Sequence, residues 1–254
     1  MSDKTIDFGF ETIPEAEKIS RVKGVFDSVA SNYDLMNDAM SVGIHRVWKN
    51  MMITKLNPQP GERLLDVAGG TGDIARRFIK AADEVRLRRG GEPASAVICD
   101  INDQMLVAGI DAEKDRGLDM IRVCGNAEIL PFEDHQFDTV TISFGIRNVT
   151  DRMAALREFL RVLKPGGRLA ILEFSTPPAK AISAFYDAYS FAVIPRLGQM
   201  LAGDRDSYQY LVESIRKFPK QEQFAEMIRE AGFANVNYQD YSTGIAALHT
   251  GWKL

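Results

Sequence analysis

Apolar runs and helix-compatible segments alternate through the middle of the chain. An apolar run over residues 64–67 includes Asp66, and a helical segment follows it at residues 73–82. A further apolar run covers residues 137–144, and the alternation continues up to Glu173. Runs of this length suit strands buried on both faces, and the alternation predicts a parallel sheet built from right-handed crossovers.

The segment before the first of these strands is predicted to be helical with breaks. Across residues 21–56, Phe26, Val29, Tyr33 and Met36 recur at a spacing that fits one helix face. We expect this segment to form an N-terminal lid.

The C-terminal part repeats the pattern of helix and strand. An amphipathic helix over residues 221–231 stops at Gly232, and two strand-like segments follow it at residues 234–241 and 244–252. The chain as a whole therefore predicts an α/β protein.

A single domain accounts for the whole length. At 254 residues the chain can bury a large core in one α/β unit. Within this domain, residues 1–254, we expect a helical lid at 21–56, a cofactor-binding core at 60–176, a helical insertion at 178–203, and a C-terminal helix with a strand hairpin at 221–254.

Charge and composition argue against several classes of function. A net charge of -4 makes nucleic acid an improbable main partner, because phosphate binding needs a basic face. Cys99 and Cys124 fall near the ends of predicted strands and are interpreted as reduced core thiols. The 3 histidines are scattered without the spacing of metal ligands, so we expect no metal site.

The sequence also predicts a cytoplasmic location. The first residues are polar and acidic, where a signal peptide would carry a basic flank and an apolar run. The stretch nearest in length to a membrane span, residues 181–203, is broken by Asp187, Pro195 and Arg196.

A glycine-rich loop provides the first chemical signal. Gly69, Gly70 and Gly72 follow Asp66, and glycines allow the backbone to turn sharply and approach a ligand closely. The next predicted strand ends in Asp100, where a carboxylate can accept two hydrogen bonds from a ribose diol. By themselves these features fit NAD as well as S-adenosylmethionine.

Later segments resemble those of class I S-adenosylmethionine-dependent methyltransferases. They are residues 121–127, the strand at 137–144 that begins with Phe-Asp, and the Leu-Lys-Pro-Gly-Gly turn with its strand at 163–173. Residues 33–48 and 161–175 resemble the two signatures of the ubiquinone/menaquinone biosynthesis C-methyltransferases. The resemblance implies a Rossmann-like, mostly parallel sheet of seven strands, with an antiparallel C-terminal edge strand and helices on both faces.

The same resemblance implies the residues that bind S-adenosylmethionine. The acid before the glycine loop faces the methionine end of the cofactor, the acid after the second strand binds the ribose, and the segment after the third strand borders the adenine. By motif position the implied cofactor residues are Asp66, Gly70, Thr71, Gly72, Asp100, Asn126, Ala127 and Ser143.

The implied reaction is C-methylation of a polyprenyl quinol ring in ubiquinone and/or menaquinone biosynthesis. The acceptor would be 2-polyprenyl-6-methoxy-1,4-benzoquinol and/or demethylmenaquinol. A ring carbon is a poor nucleophile until an ortho or para hydroxyl loses its proton, so we expect the reduced quinol to react. Two other interpretations stay open: a non-catalytic cofactor-binding subunit of a quinone-synthesis complex, and an NAD-dependent oxidoreductase, which Asp66 and the terminal strands disfavour.

Four residues are candidates for catalysis: Arg147, Tyr33, His45 and Asn148. Arg147 follows the strand that leads to the reaction centre in similar proteins. A guanidinium is not a base, since its pKa exceeds about 12, so we expect Arg147 to stabilise a phenolate or orient a water. The alternative is a salt bridge to a strand-end acid such as Asp100. Tyr33 and His45 could line the acceptor pocket, although a lone histidine is as often a packed structural residue.

The insertion is rich in aromatic residues and admits two interpretations. Phe185, Tyr189, Phe191 and Val193 could line an apolar groove for a polyprenyl tail. They could equally cover the sheet or form the interface of a homodimer or a quinone-synthesis complex. A lipid substrate implies transient contact with a membrane surface, so we expect peripheral association with the inner face of the cytoplasmic membrane.

Overall fold

A computed structural model describes most of the chain. The described residues are 4–29, 38, 41, 43–111, 113–177, 195–196, 199 and 205–254. Tyr33 and nearly all of the predicted insertion, residues 178–203, lie outside them.

The N-terminal part consists of a hairpin and two helices. Strands β1 (Thr5–Phe8) and β2 (Glu11–Pro14) pair antiparallel. Helix α1 (Glu15–Val29) follows directly, and helix α2 (His45–Leu56) precedes the main sheet. The predicted lid at residues 21–56 thus includes most of α1 and all of α2, whereas the hairpin was not predicted, because its strands are only 4 residues long.

Seven strands form the main sheet in the order β5-β4-β3-β6-β7-β9-β8. The first five in sequence are parallel to one another, and β9 is antiparallel to both of its neighbours. The strands are β3 (Arg63–Val67), β4 (Ser95–Asp100), β5 (Asp119–Cys124), β6 (Phe137–Ser143), β7 (Leu163–Phe174), β8 (Ala234–Tyr241) and β9 (Ala246–Trp252). The predicted fold class is confirmed, with the detail that antiparallel β9 lies one position in from the edge and β8 lies outside it.

Five further helices complete the described fold: α3 (Asp73–Arg89), α4 (Asp103–Ala108), α5 (Arg152–Val162), α6 (Arg205–Lys217) and α7 (Gln221–Glu230). They cover both faces of the sheet. Successive strand residues point to opposite faces, so each face presents an apolar surface for helices to cover. Leu64 and Ile98 pack into one apolar cluster, whereas their neighbours Leu65 and Val97 pack into another. The continuous apolar character of the parallel strands follows from this double burial. Within the ranges described, no helix is long and apolar enough to span a bilayer.

The strand order places the functional crevice. Strand β3 lies between β4 and β6, and the chain passes to β4 on one side of it before returning to β6 on the other. At such a switch in strand order, the loops after neighbouring strands diverge and leave a crevice at the carboxyl edge of the sheet.

Candidate active site

A cavity occupies this crevice at the carboxyl ends of the central strands. It is lined by the loop after β3, by the ends of β4, β5 and β6, and by one face of α1. Seven of the predicted cofactor residues line it: Asp66, Gly70, Thr71, Asp100, Asn126, Ala127 and Ser143. The fold therefore brings together positions that the sequence separates by as many as 77 residues, the interval from Asp66 to Ser143. Their individual contacts with a cofactor stay a prediction.

The glycine loop is tightly packed against the sheet. A Cβ atom on Gly69 would lie 2.8 Å from the Asp66 carbonyl oxygen and 2.9 Å from Ile98 Cγ2. Gly72 has a φ of +83°, and a Cβ there would lie 2.7 Å from Ile98 Cδ1. Gly72 is the remaining predicted cofactor residue. It lies at the start of α3 and does not line the cavity. It makes the turn possible, because a side chain at either glycine would collide with β3 or β4.

Asp66 is a buried acid on the floor of the cavity. Its Oδ1 accepts a 2.7 Å hydrogen bond from the hydroxyl of Thr141, while Oδ2 is buried without a partner. Burial raises the pKa of Asp66 to about 7, against the opposing effect of the Thr141 hydrogen bond. An unpaired buried acceptor costs roughly 1–3 kcal/mol, a cost that a bound donor would remove.

Asp100 is held by backbone donors at the end of β4. Its Oδ2 accepts from the Gly70 N–H and its Oδ1 from the Asn102 N–H, both at 2.9 Å. Burial raises the pKa of Asp100 to about 6, while these backbone hydrogen bonds act in the opposite direction. Since each carboxylate oxygen has a second acceptor site, Asp100 can still accept from a diol.

Helix α1 contributes one wall of the cavity. Ile19, Val22 and Phe26 line the cavity at helical spacing. Polar contacts tie the helix to the residues that follow β4: Lys23 pairs with Asp103 at 2.7 Å, and the Asn102 amide donates to Asp27 at 2.8 Å. Phe26 belongs to the predicted lid, whereas Ile19 was not predicted, although the spacing of residues 19, 22 and 26 could have indicated it.

Arg147 lies in a short 3-10 turn after β6, at residues Ile146–Asn148, and its side chain points into the protein interior. Arg147 is 3% exposed, and its guanidinium forms a 2.6 Å ion pair with Glu173 near the end of β7. It also donates to the Phe144 carbonyl oxygen at 2.6 Å and to Ser214 Oγ at 3.3 Å. Arg147 does not line the described cavity, and the strand-end acid that it binds is Glu173 rather than Asp100. Its catalytic role stays a prediction.

Asn148, the next residue, does line the cavity. Its Oδ1 accepts a 3.0 Å hydrogen bond from the hydroxyl of Tyr210 on α6. Its Nδ2 is buried and has no hydrogen-bond partner. Two residues that line the cavity thus have a buried polar atom without a partner, the amide nitrogen of Asn148 and one carboxyl oxygen of Asp66.

His45 belongs to the packing of α2. It begins the helix, is 1% exposed and has its Nε2 2.9 Å from Asp38 Oδ1. Burial and the nearby Lys49 charge lower the pKa of His45. The side chain does not line the cavity that contains Asp66, so its predicted part in catalysis is not supported by proximity to that cavity.

The residues of the cavity fit the predicted cofactor. The unpaired oxygen of Asp66 can accept from a cationic amine, and Asp100 can accept from a ribose diol. Apolar Ile101 and Met105 also line the cavity, where a flat apolar base could pack.

Comparison with known proteins identifies the family. The model of the ubiE/COQ5 methyltransferase family matches residues 14–253. The chain belongs to the ubiE/COQ5 methyltransferase family. One relative, the ubiquinone/menaquinone biosynthesis C-methyltransferase UbiE of Roseobacter denitrificans, is 57% identical over 255 residues, which cover 100% of this chain and 98% of that protein. The protein of the same name from Caulobacter vibrioides is 53% identical over 254 residues, with 100% of both chains covered.

Solved structures share the fold at low identity. A methyltransferase from Thermotoga maritima that depends on S-adenosylmethionine, described as a possible histamine N-methyltransferase, has a TM-score of 0.59 and 19% identity, and covers 91% of this chain and 99% of that one. The [4+2]-cyclase SpnF has a TM-score of 0.61 and 19% identity, with 91% and 94% covered. This likeness shows the fold alone, because one fold supports unrelated reactions. Membership of the methyltransferase family confirms the predicted enzyme class and its cofactor, S-adenosylmethionine.

Proposed function

We propose that this chain methylates a ring carbon of a polyprenyl quinol, taking the methyl group from S-adenosylmethionine. The relatives that match it over its full length are named for C-methylation in ubiquinone and menaquinone biosynthesis. The observation that carries the proposal is the cavity in which Asp66, Asp100 and Asn148 lie together at the carboxyl edge of the sheet. Its acceptors suit the cofactor and its amide donor suits a phenolate.

The cofactor would be held by the acids and the glycine loop. When bound, S-adenosylmethionine supplies an electrophilic methyl group on a sulfonium. Asp66 would accept from the cationic amine through its unpaired oxygen, and Asp100 would accept from the ribose. Ile19, Val22 and Phe26 of α1 would exclude water from this end of the cavity.

The acceptor ring needs an environment that favours its phenolate. The carbon becomes a strong nucleophile when an ortho or para hydroxyl is deprotonated, which the quinol permits and the oxidised quinone does not. Asn148 would donate to the developing oxyanion from the cavity wall. The guanidinium of Arg147 is paired with Glu173, so we assign Arg147 the role of holding the 3-10 turn that presents Asn148.

A polyprenyl tail would bring the enzyme to a membrane surface. We extend the proposal to transient, peripheral contact with lipid, because a long apolar tail partitions into the bilayer. Sedimentation with anionic vesicles that contain a long-tailed quinol would test it: we expect the fraction bound to rise with the quinol content. Equal binding to vesicles with and without quinol would contradict this part of the proposal.

Mass spectrometry of the reaction products tests the reaction itself. The purified protein is mixed with S-adenosylmethionine and a short-tailed demethylated benzoquinol or naphthoquinol, each kept reduced or allowed to oxidise. We expect a product heavier by one methyl group on carbon from the reduced ring alone, and the ring that reacts faster identifies the preferred acceptor. Firm cofactor binding with no transfer to either ring would instead favour the non-catalytic subunit.

A further inference from the structure

Two hydroxyls on one face of α6 hold the turn that follows β6. Tyr210 and Ser214 are four residues apart on the helix, so their side chains lie on the same face. Ser214 Oγ accepts from Arg147 Nε at 3.3 Å, and the Tyr210 hydroxyl donates to Asn148 Oδ1 at 3.0 Å. Arg147 and Asn148, which are consecutive in the turn, are therefore each hydrogen-bonded to α6.

Tyr210 is itself held rigidly. It is 5% exposed, and its ring stacks on Phe8 of β1 with the ring centroids 4.1 Å apart and the planes inclined by 20°. Burial raises the pKa of Tyr210 to about 12, so the hydroxyl keeps its proton throughout the neutral range. A protonated, fixed phenol is a permanent donor at this position.

Tyr210 holds the side chain of Asn148 in place. The Tyr210 hydroxyl donates to Asn148 Oδ1 at 3.0 Å and could also accept from Nδ2, so the bond restrains the position of the amide rather than selecting one of its two orientations. The Asn148 Nδ2 atom is buried without a partner. An amide anchored in this way stays at the wall of the cavity, which Asn148 lines.

We propose that Tyr210 is a positioning residue of the methyl transfer, and that its hydrogen bond holds the Asn148 amide at the cavity wall, where the amide donates to the acceptor oxygen as that oxygen becomes a phenolate. The inference rests on the proposed function, because it presumes a phenolic acceptor. Tyr210 does not line the cavity and so acts through Asn148.

The test compares Tyr210→Phe, Asn148→Ala and the double variant. Phenylalanine keeps the ring stacked on Phe8 and removes only the donor. We expect kcat on the quinol to fall about 10-fold in Tyr210→Phe and about 100-fold in Asn148→Ala, as for lost oxyanion donors in general. The double variant should be within about twofold of Asn148→Ala, because a residue that acts through Asn148 has no further effect without it.

Two readouts distinguish positioning from a structural role. The rising limb of the pH profile of kcat should move to higher pH in Tyr210→Phe, since the acceptor phenol loses part of its stabilisation as an anion. The dissociation constant for S-adenosylmethionine should stay within about twofold of wild type. Tyr238→Phe, on the edge strand β8 and outside the cavity lining, is the matched control and should leave kcat and the pH profile unchanged.

The outcomes separate the two proposals. If the losses of kcat in the two single variants multiply in the double variant, or if the pH profile of Tyr210→Phe is not shifted, the positioning role is overturned. Turnover by the wild-type protein would still uphold the proposed function. An absence of wild-type turnover with any quinol would overturn both.

Discussion

The hydroxyl of Thr141 lies 2.7 Å from Asp66 Oδ1 and donates a hydrogen bond to it. The two residues are register partners on the parallel strands β6 and β3. This bond orients the carboxyl group of Asp66 and leaves its other oxygen, buried in the cavity, without a partner. A contact between adjacent strands thus decides which carboxyl oxygen of Asp66 is left without a partner.

The first prediction concerns the pH dependence of cofactor affinity. The pKa of Asp66 is about 7 without ligand, and a cationic amine is bound by the carboxylate form. Affinity should therefore decline as pH falls below 7, by up to about tenfold per pH unit. Asp100, with a pKa of about 6, adds to the decline below pH 6.

Calorimetric titration with S-adenosylmethionine between pH 5.5 and 8 measures this dependence. In Asp66→Asn the decline between pH 7 and 6 should disappear. A pH dependence that persists unchanged in the variant would assign it to another group.

The second prediction concerns stability without ligand. An aspartate in the unfolded chain titrates near pKa 3.9, whereas folded Asp66 titrates near 7. The folded state holds the extra proton between these values, so the free energy of unfolding falls as pH rises through this window. Asp66→Asn lacks this penalty, and at pH 8 we expect it to be more stable than wild type by roughly 2 kcal/mol, after allowance for its own unpaired amide.

Urea unfolding at pH 8 and pH 5 checks the sign. The stability advantage of Asp66→Asn should shrink at pH 5, where wild-type Asp66 is neutral in the folded state. An advantage that stays constant with pH would show that the carboxyl group is not titrating in this range.

The third prediction concerns the glycine loop. Gly69→Ala places a Cβ 2.8 Å from the Asp66 backbone oxygen, which cannot move without displacing β3. We expect a loss of about 1–3 kcal/mol in unfolding free energy and a weaker cofactor complex. Gly24→Ala is the matched control: a Cβ there meets nothing within 4 Å, and the helix α1 should gain roughly 0.5–1 kcal/mol. Thermal unfolding and calorimetry of both variants provide the comparison.

The fourth prediction concerns the buried ion pair between Arg147 and Glu173. Glu173→Gln leaves the guanidinium charge buried without its counter-ion, which costs roughly 3–5 kcal/mol. The melting temperature should fall by about 10 °C for a chain of this size. Glu222→Gln, which breaks an exposed pair with Arg229, is the control and should leave the melting temperature unchanged. Equal effects of the two substitutions would contradict the structural role of the buried pair.

The fifth prediction concerns Arg147 in turnover. Arg147→Lys keeps a positive charge beside Glu173 but loses the planar contacts to the Phe144 carbonyl and Ser214. We expect kcat to fall by about tenfold and the cofactor dissociation constant to stay within about twofold, because the turn that presents Asn148 loosens while the glycine loop is untouched. A loss of cofactor binding with normal kcat would contradict the role of Arg147 in holding this turn.

Local patterns were enough to predict the sheet and the cofactor side of the cavity. Asp66, the glycine loop and Asp100 each lie within a few residues of a strand end. In a parallel sheet the carboxyl ends of neighbouring strands meet, so identifying the strands also brings these residues together. The hairpin β1–β2 escaped prediction because strands of 4 residues carry too short a pattern.

The α/β fold, the positions of the main strands and the two acids at the cavity could be predicted from the sequence, since these depend on periodicity and on motifs within single loops. The ion pair of Arg147 with Glu173 and the hydrogen bond from Tyr210 to Asn148 are seen only in the folded structure. These partners are 26 and 62 residues apart. Strand order and the packing of α6 against the turn bring them into contact, and no local sequence pattern indicates either contact.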